Sequence, residues 1–244
     1  MGLLNPNLST LEATAMALEP ILGDIVFVGG TIVGLLINDP GAGSARPTRD
    51  VDVIAQIAGG SGYQSATSTM LKMGFQPDTS EGAPICRWVK DGLLVDLMGT
   101  ADSPFGTANP WYLEGFSTRQ AITLPKTGLR IFMLSAPVFI LSKWVAYQGR
   151  GQGSMTGSHD IEDILNVLDG RLGLIGEAEN ASPAARAVLA QMVHQLFASE
   201  AFRDCCLESL GERKAVVQGV LESFAGYQAP AMAKVPDPGP SSTC

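Results

Sequence analysis

The sequence predicts an α+β protein, with a mixed sheet flanked by helices and a C-terminal helical bundle. Short apolar runs separated by turn residues fill the chain up to residue 134, and apolar residues at helical spacing prevail from residue 135 onward. Apolar residues make up 45% of the 244 residues and charged residues only 16%, so a packed core is expected. This length suits one large domain or two small ones.

The first half is predicted from local patterns. Residues 8–22 have the pattern of an amphipathic helix, with Ser9 or Thr10 available as its N-cap. The pair Asp91-Gly92 between two apolar runs is a strong hairpin signal. The predicted strands are 24–28, 50–57, 85–89, 93–98, 119–124 and 129–134. The predicted helices are 31–37 and 63–73, with a loop at 38–47, a turn at 59–62 and irregular chain at 103–116.

The second half is predicted to be helical. Ser135 can cap the first of its helices, and Pro137 falls in the first turn, where a missing N–H is harmless. The predicted helices are 138–147, 158–168, 182–202 and 212–224, with a flexible loop at 149–157. The expected organisation is an α+β domain at 1–134, a helical domain at 135–227 and a disordered tail at 228–244, which is rich in Pro, Ser and Gly.

Composition and charge argue against several kinds of protein. A net charge of -8 and a pI of about 4.7 argue against a broad basic surface for duplex DNA or membrane phosphates. The four cysteines have neither metal-ligand spacing nor a disulfide-rich pattern. The start of the chain lacks a secretory signal pattern, and no apolar run has membrane-spanning length. We therefore expect a soluble, cytoplasmic protein.

Two aspartates lie one residue apart on a predicted strand. Asp50 and Asp52 project from the same face, because side chains alternate along a strand. Upstream, Gly29 and Gly30 allow the backbone to approach a phosphate, the next helix points its N-terminus there, and Thr31 adds a hydroxyl. Alone, a Gly pair is most often a turn and a D-x-D pair most often a solvated face. Together they indicate a site for a divalent metal and a nucleotide.

A third carboxylate, Asp96, lies in the apolar run L-L-V-D-L-M. A buried carboxylate is costly unless it is paired or binds a metal. Asp96 is therefore a candidate third metal ligand, and it can also accept the proton of an attacking hydroxyl. Such a site suits nucleotidyl transfer, in which two metal ions roughly 3.5–4 Å apart hold the attacking and leaving oxygens. Two alternatives stay open: Asp96 faces solvent, or it pairs with Arg87.

Lys143 lies on a predicted helix that is apolar on nearly all sides. A lysine there needs an anionic partner or must extend to water. A triphosphate is one such partner, and Asp160 or Asp163 is another. These two aspartates lie three residues apart and share a helix face. The favourable interaction of an acidic residue with a helix N-terminus is a strong alternative explanation for Asp160. Asp163, one turn further in, is better explained by a partner.

The combined pattern h-G-G-T, R-x-T-x-D-h-D and h-D-h resembles the DNA polymerase β-like nucleotidyltransferase superfamily. Further motifs narrow the resemblance: I-C-R-W at 85–88, G-L-L-V-D-L-M at 92–98, S-A-P-V-F-I-L-S-K at 135–143 and S-H-D-I-E-D at 158–163. They are similar to those of a bacterial group of uncharacterised nucleotidyltransferases that is itself similar to AbiEii-type toxins of toxin–antitoxin systems. The resemblance covers about residues 23–171.

The resemblance implies a fold, cofactors and a site. The sheet at 1–134 would be a nucleotidyltransferase domain, with the helical half closing over the nucleotide. Mg²⁺ or Mn²⁺ would be the metal and an NTP, ATP among them, the co-substrate. The metal ligands would be Asp50, Asp52 and Asp96, which with Lys143 would be catalytic. The nucleotide-binding residues would be Gly29, Gly30, Thr31, Arg46, Thr48, Asp160 and Asp163. The loop at 38–45 is longer than in compact members of the superfamily. Its length affects where Arg46 lies relative to the aspartates.

The expected function is transfer of NMP from an NTP to an RNA or protein acceptor, with release of pyrophosphate. A toxin role and an antitoxin partner follow from the resemblance alone. The acidic balance weakens tRNA as an acceptor. The residues that would form a local basic cleft are Arg46, Arg49, Lys126, Arg130, Lys143 and Arg150. Two alternatives stay open: a nucleotidyltransferase for a small cationic acceptor of the aminoglycoside kind, and a non-catalytic NTP-binding module.

Overall fold

The computed structural model describes residues 5–57, 59–106, 108–150 and 155–227. The tail predicted to be disordered, 228–244, lies outside the described residues, as does part of the predicted flexible loop. The chain forms two compact units. One comprises Asn5–Gly34 and Ala45–Ser135, and the other comprises Leu35–Ser44 and the described residues from Ala136 onward. The sequence analysis assigned residues 35–44 to the α+β domain, whereas in the structure they belong to the helical unit.

A mixed sheet forms the first unit. In the described residues it has seven strands in the order β3-β4-β5-β2-β1-β7-β6. The strands are β1 (Ile25–Val28), β2 (Asp50–Ala55), β3 (Gln76–Pro77), β4 (Arg87–Lys90), β5 (Leu93–Gly99), β6 (Gln120–Thr123) and β7 (Arg130–Met133). The β2–β5 and β1–β7 pairs are parallel, and the others are antiparallel. β1 is buried along its whole length, as a central strand requires. The predicted α+β class with a mixed sheet is confirmed.

The helices of the first half differ from the prediction at their ends. They are α1 (Leu8–Ala17), α2 (Val33–Leu36), α3 (Gly59–Lys72) and α4 (Tyr112–Ser117). The α-helix predicted at 8–22 ends earlier, because Pro20 cannot donate a helical hydrogen bond and lies in a separate 3₁₀ turn. Ser9 and Thr10 lie inside α1, with Asn7 at the N-cap position. The turn predicted at 59–62 is helical, since glycine disfavours a helix by only about 1 kcal/mol.

Both predicted hairpins are present. β4 pairs with β5, and β6 pairs with β7, each antiparallel. Asp91 and Gly92 join the first pair with positive φ angles of 50° and 82°, as a two-residue primed turn requires. The two-residue strand β3 and the six-residue helix α4 were not predicted, because both are shorter than a periodic pattern can reveal.

The second unit is helical, as predicted. Its helices are α5 (Ala136–Gly149), α6 (His159–Gly170), α7 (Leu174–Glu179), α8 (Pro183–Ala198) and α9 (Lys214–Ala225). The side chains of Ser158 and Ser182 cap α6 and α8. The helix predicted at 182–202 ends at Ala198, because Ser199 has an extended backbone. In the part of the chain that the structure describes, no helix combines the length and apolar character needed to cross a membrane.

Candidate active site

Neighbouring strands bring the three predicted carboxylates to one face of the sheet. Asp52 on β2 lies opposite Asp96 on the parallel strand β5. Exposure alternates along β2, so that Asp50 and Asp52 lie on its partly exposed face and Val51 and Val53 on its buried face. Side chains in register on adjacent strands project to the same side of a sheet. The three carboxylates therefore lie on the same face of the sheet.

Arg87 on β4 extends this row of side chains. It lies opposite Asp96 in the antiparallel β4–β5 pair. Its Nε and Nη2 donate hydrogen bonds to the two carboxylate oxygens of Asp96 at 2.7 and 2.8 Å, and Nη2 also donates to Oδ2 of Asp50 at 2.6 Å. The hydrogen bonds to Asp96 are the largest cause of a raised Arg87 pKa. Of the alternatives left open for Asp96, pairing with Arg87 is the one observed.

Sequence reasoning named Arg87 only as an alternative partner for Asp96 and missed its bond to Asp50. A signal for the first contact was nevertheless available. A two-residue hairpin turn at Asp91-Gly92 sets the pairing of its two strands, so Lys90 lies opposite Leu93 and, counting outward, Arg87 lies opposite Asp96. The second contact depends on the position of β2 beside β5, which no local pattern specifies.

Gly29 provides the space for the Asp52 carboxylate. A Cβ atom at Gly29 would lie 1.8 Å from Oδ2 and 2.9 Å from Cβ of Asp52. The backbone at Gly29 has φ 68° and ψ -169°, a conformation that is essentially limited to glycine. The glycine that the sequence analysis assigned to phosphate binding therefore has an observed structural role: it lets the turn after β1 pack against a site carboxylate.

Two predicted nucleotide-binding hydroxyls lie beside β2. Thr31 is fully buried, and its Oγ1 donates a hydrogen bond to the backbone carbonyl of Asp50 at 2.8 Å. Oγ1 of Thr48 lies 3.4 Å from Oγ1 of Thr31 and 3.4 Å from the same carbonyl. The hydroxyl hydrogen of Thr31 is therefore used within the protein, where it fixes the start of β2 against the turn that follows β1.

Asn7 holds the segment that leads into the aspartates, a role that sequence reasoning missed. Its Nδ2 donates to the carbonyl of Arg46 at 2.9 Å, and its Oδ1 accepts from the backbone N–H of Thr48 at 2.8 Å. Both bonds span about forty residues of sequence, so no short motif could reveal them. Arg46 is half-buried and Arg49 is exposed. Asn7 thus positions the loop immediately before Asp50.

The carboxylates fit a divalent metal in their donor chemistry. Magnesium prefers carboxylate oxygens together with substrate phosphates. Asp52 is in register with Asp96, and Asp50 lies on the same face of β2 as Asp52. In the observed arrangement, however, the guanidinium of Arg87 holds Asp50 and Asp96. Among the described residues, no three or more His, Cys, Asp or Glu side chains are grouped closely enough to hold a metal ion.

A second charged cluster lies in the helical unit, between α5 and α6. Nζ of Lys143 lies 2.7 Å from Oδ2 of Asp163 and 3.3 Å from Oδ1 of Asp160. Arg150 contacts the other oxygen of Asp160 at 2.6 Å. The Lys143 side chain is only 11% exposed, and Asp163 is fully buried. Pairing with carboxylates, one of the partners predicted for Lys143, is therefore observed, and it accounts for a lysine on an apolar helix.

The whole chain can be compared with known proteins. No family model matches the chain, and no curated protein matches it. Among solved structures, the chain is similar to the crystal structure of an antigenic nucleotidyltransferase-like protein from Paracoccidioides brasiliensis, at 16% sequence identity and a TM-score of 0.47. The match covers 89% of this chain and 93% of that chain. With a TM-score below 0.5, this likeness adds no evidence about activity, and the α+β class rests on the sheet and helices described above.

Proposed function

We propose that the protein is a metal-dependent nucleotidyltransferase that moves NMP from an NTP to an acceptor hydroxyl. The observation that carries the proposal is the placement of three carboxylates on one sheet face, with Asp52 in register with Asp96 and Asp52 packed against Gly29. Carboxylates that share one face repel one another, and a divalent cation would reduce this repulsion, as Arg87 does in part in the observed arrangement. Binding of a metal–nucleotide complex would account both for the three carboxylates and for the adjacent Gly29-Gly30 turn.

The residues can be assigned roles in this reaction. An acceptor hydroxyl oxygen forms a bond to the α-phosphorus, the bond from that phosphorus to the bridging oxygen of pyrophosphate breaks, and pyrophosphate leaves with that electron pair. Asp96 accepts the hydroxyl proton, and Asp50, Asp52 and Asp96 would hold the metal. A divalent metal bound there would supply charge stabilisation for the attacking and leaving oxygens. The backbone at Gly29 and Gly30 would bind the phosphates.

Other parts of the proposal rest on the sequence resemblance. These are the assignment of Lys143, Asp160 and Asp163 to catalysis or nucleotide binding, a toxin role with an antitoxin partner, and RNA or protein as the acceptor. A phosphate that binds Lys143 would have to replace its contacts with the two aspartates, which lie 2.7 and 3.3 Å away. Arg46 and Thr48 remain proposed phosphate contacts on the segment before Asp50.

One observation favours a second candidate, a non-catalytic NTP-binding module. Arg87 occupies both oxygens of Asp96, and those oxygens are needed to bind metal or accept a proton. A protein that had kept the fold but lost nucleotidyl-transfer activity would tolerate a permanent ion pair between Arg87 and Asp96. Nucleotide binding in the presence of Mg²⁺, with no transfer to any acceptor, is the result expected of such a module.

The test of the proposed function is a transfer assay with pure protein. The protein is incubated with each α-labelled NTP, Mg²⁺ and an extract that contains total RNA and protein, and the products are separated on a gel. We expect a labelled RNA or protein band with the wild type. Asp52→Asn should reduce labelling about 100-fold or more, because it removes one metal-binding carboxylate. Asp24→Asn is the matched control, since Asp24 is exposed just before β1 and the charge change is the same.

The outcomes separate the candidates. A band that is lost in Asp52→Asn and retained in Asp24→Asn supports nucleotidyl transfer and identifies the acceptor class. Equal labelling by both variants would disprove the assignment of the carboxylate site. Absence of label in every band, with NTP binding seen by calorimetry, would favour a small-molecule acceptor or the binding module. An assay with small cationic acceptors distinguishes those two.

A further inference from the structure

Arg87 is a cation already bound at the acidic cluster. Its guanidinium donates to both oxygens of Asp96 and to one oxygen of Asp50, at 2.6 to 2.8 Å. Its side chain is 18% exposed, and that of Asp96 is 9% exposed. Bonds of this kind, bidentate and partly shielded from water, are among the stronger polar interactions in proteins. Arg87 therefore holds three of the six carboxylate oxygens of the proposed metal site.

We propose that Arg87 is a built-in competitor of the divalent metal: it pairs with Asp50 and Asp96 in the resting protein, and metal binds as this ion pair breaks. The inference rests on the proposed function, because it takes the same three carboxylates as the metal site. It goes further because it assigns a role to Arg87, which is to lower the affinity of the site for metal. The resting site is then a closed ion pair, and the metal-loaded site has Arg87 displaced.

Electrostatics supports an exchange of one cation for the other. Removal of one partner from a buried ion pair leaves an uncompensated charge at a large cost. Displacement of Arg87 is therefore favourable only when another cation arrives at Asp96. Arginine also stays protonated at any physiological pH, so neutralisation of Arg87 cannot open the site. A cation that competes for the same oxygens would separate the pair without leaving Asp96 uncompensated.

The first test is calorimetric titration of the full chain with Mn²⁺. Arg87→Met should bind Mn²⁺ about tenfold or more tightly than the wild type, because the metal no longer competes with a nearby positive charge. Arg87→Lys should give an intermediate affinity, since lysine keeps the charge but loses the bidentate fork. Lys72→Met is the control: Lys72 is exposed on α3 and is not among the proposed site residues, and its removal changes the net charge equally. Its affinity should match that of the wild type within about twofold.

The second test uses the wild-type protein, because Arg87→Met leaves a buried carboxylate unpaired and need not fold without metal. The arginine Nε–H groups are labelled with ¹⁵N, and Arg87 is assigned by its absence in Arg87→Lys. With saturating Mg²⁺, the Arg87 Nε–H signal should shift and exchange with water faster, because its bond to Asp96 is lost. The Nε–H signal of Arg213, which pairs with Asp169, should stay unchanged.

Two results would overturn the inference. If Mn²⁺ binds the wild type and Arg87→Met with equal affinity, or if Mg²⁺ saturates the protein while the Arg87 signal is unchanged, Arg87 does not compete with metal and the proposed function stands. If neither the wild type nor Arg87→Met binds Mn²⁺, the metal-dependent function fails together with the inference. Tighter binding by Arg87→Met and displacement of the wild-type signal by Mg²⁺ support it.

Discussion

Asp96 is a buried residue whose two carboxylate oxygens both accept hydrogen bonds from one arginine. The pair has a structural consequence whatever its function: loss of one partner of such a pair costs about 3–5 kcal/mol. Loss of activity in an Arg87 variant would therefore not by itself assign a catalytic role. Affinity for metal is the more informative measurement, since a purely structural role would not tighten it.

Gly29 is the residue at which backbone conformation and site geometry depend on each other. Gly29→Ala should lower the free energy of unfolding by about 3 kcal/mol, because alanine disfavours this positive-φ backbone and its Cβ would collide with Asp52. Rotation of the Asp52 side chain relieves little of the collision, since Cβ of Asp52 itself would lie 2.9 Å away. Denaturant-induced unfolding measures the change.

Gly23→Ala is the matched control for this substitution. Gly23 lies just before β1, and a Cβ there would meet nothing within 4 Å. Its effect should stay within about 0.5 kcal/mol, as for an ordinary surface substitution. If Gly29→Ala proved as stable as Gly23→Ala, that result would contradict the close packing of the turn against Asp52.

Among the structural elements, the segment 35–44 shows how a loop is fixed to helices. The backbone N–H groups of Asn38 and Asp39 donate to the carbonyl of Gly170, at the end of α6. Arg213 bonds the Asp39 carboxylate through Nη2 and the Asp169 carboxylate through Nε, both at 2.6 Å. The loop therefore joins the helical unit although the sequence order suggests otherwise.

The Asp39 carboxylate should make stability depend on pH. A hydrogen bond from the backbone N–H of Gly41, followed by one from Arg213, lowers the Asp39 pKa. A lowered pKa contributes stability that is present above the unfolded value of about 3.9 and lost as pH falls through the folded value. Asp39→Asn should therefore be less stable than the wild type near pH 7, and the difference should shrink below about pH 4.

Denaturant-induced unfolding at several pH values tests this expectation, with Asp24→Asn as the control for removal of one exposed negative charge. A stability difference between Asp39→Asn and the wild type that is the same at neutral and acidic pH would contradict the role of the charged carboxylate. It would instead indicate that hydrogen bonding by the side chain, which asparagine can retain, accounts for the effect.

At the scale of the whole molecule, the net charge of -8 limits the partners. Affinity for nucleic acid depends largely on neutralisation of phosphates by Lys and Arg, and this chain has 16 of them against 24 acidic residues. We expect no measurable binding to duplex DNA at physiological salt in a fluorescence anisotropy titration. Saturable binding at micromolar protein would contradict this expectation. Single-stranded RNA titrated in parallel tests the acceptor that the resemblance implies.

Much of the fold was predictable because its signals are local. The hairpin at Asp91-Gly92, the strand with Asp50 and Asp52, and the change to helices near residue 135 all follow from patterns within about ten residues. Short elements such as β3 and α4 were missed for the same reason, since they span too few residues to establish a period. Helices end earlier than predicted where a proline or an extended residue interrupts the helical backbone, as at Pro20 and Ser199.

The sequence by itself determined the α+β class, the order of its two halves and the identity of the candidate carboxylates. These features can be recognised because periodicity, and polar residues within apolar runs, depend only on residues that are close together in the sequence. Only the tertiary structure decided what those carboxylates contact. The bridge from Arg87 to Asp50, the support of the preceding loop by Asn7, and the pairing of Lys143 with Asp160 and Asp163 join residues from separate elements. Such contacts depend on strand order and helix packing, which result from burial of the whole core rather than from any local pattern.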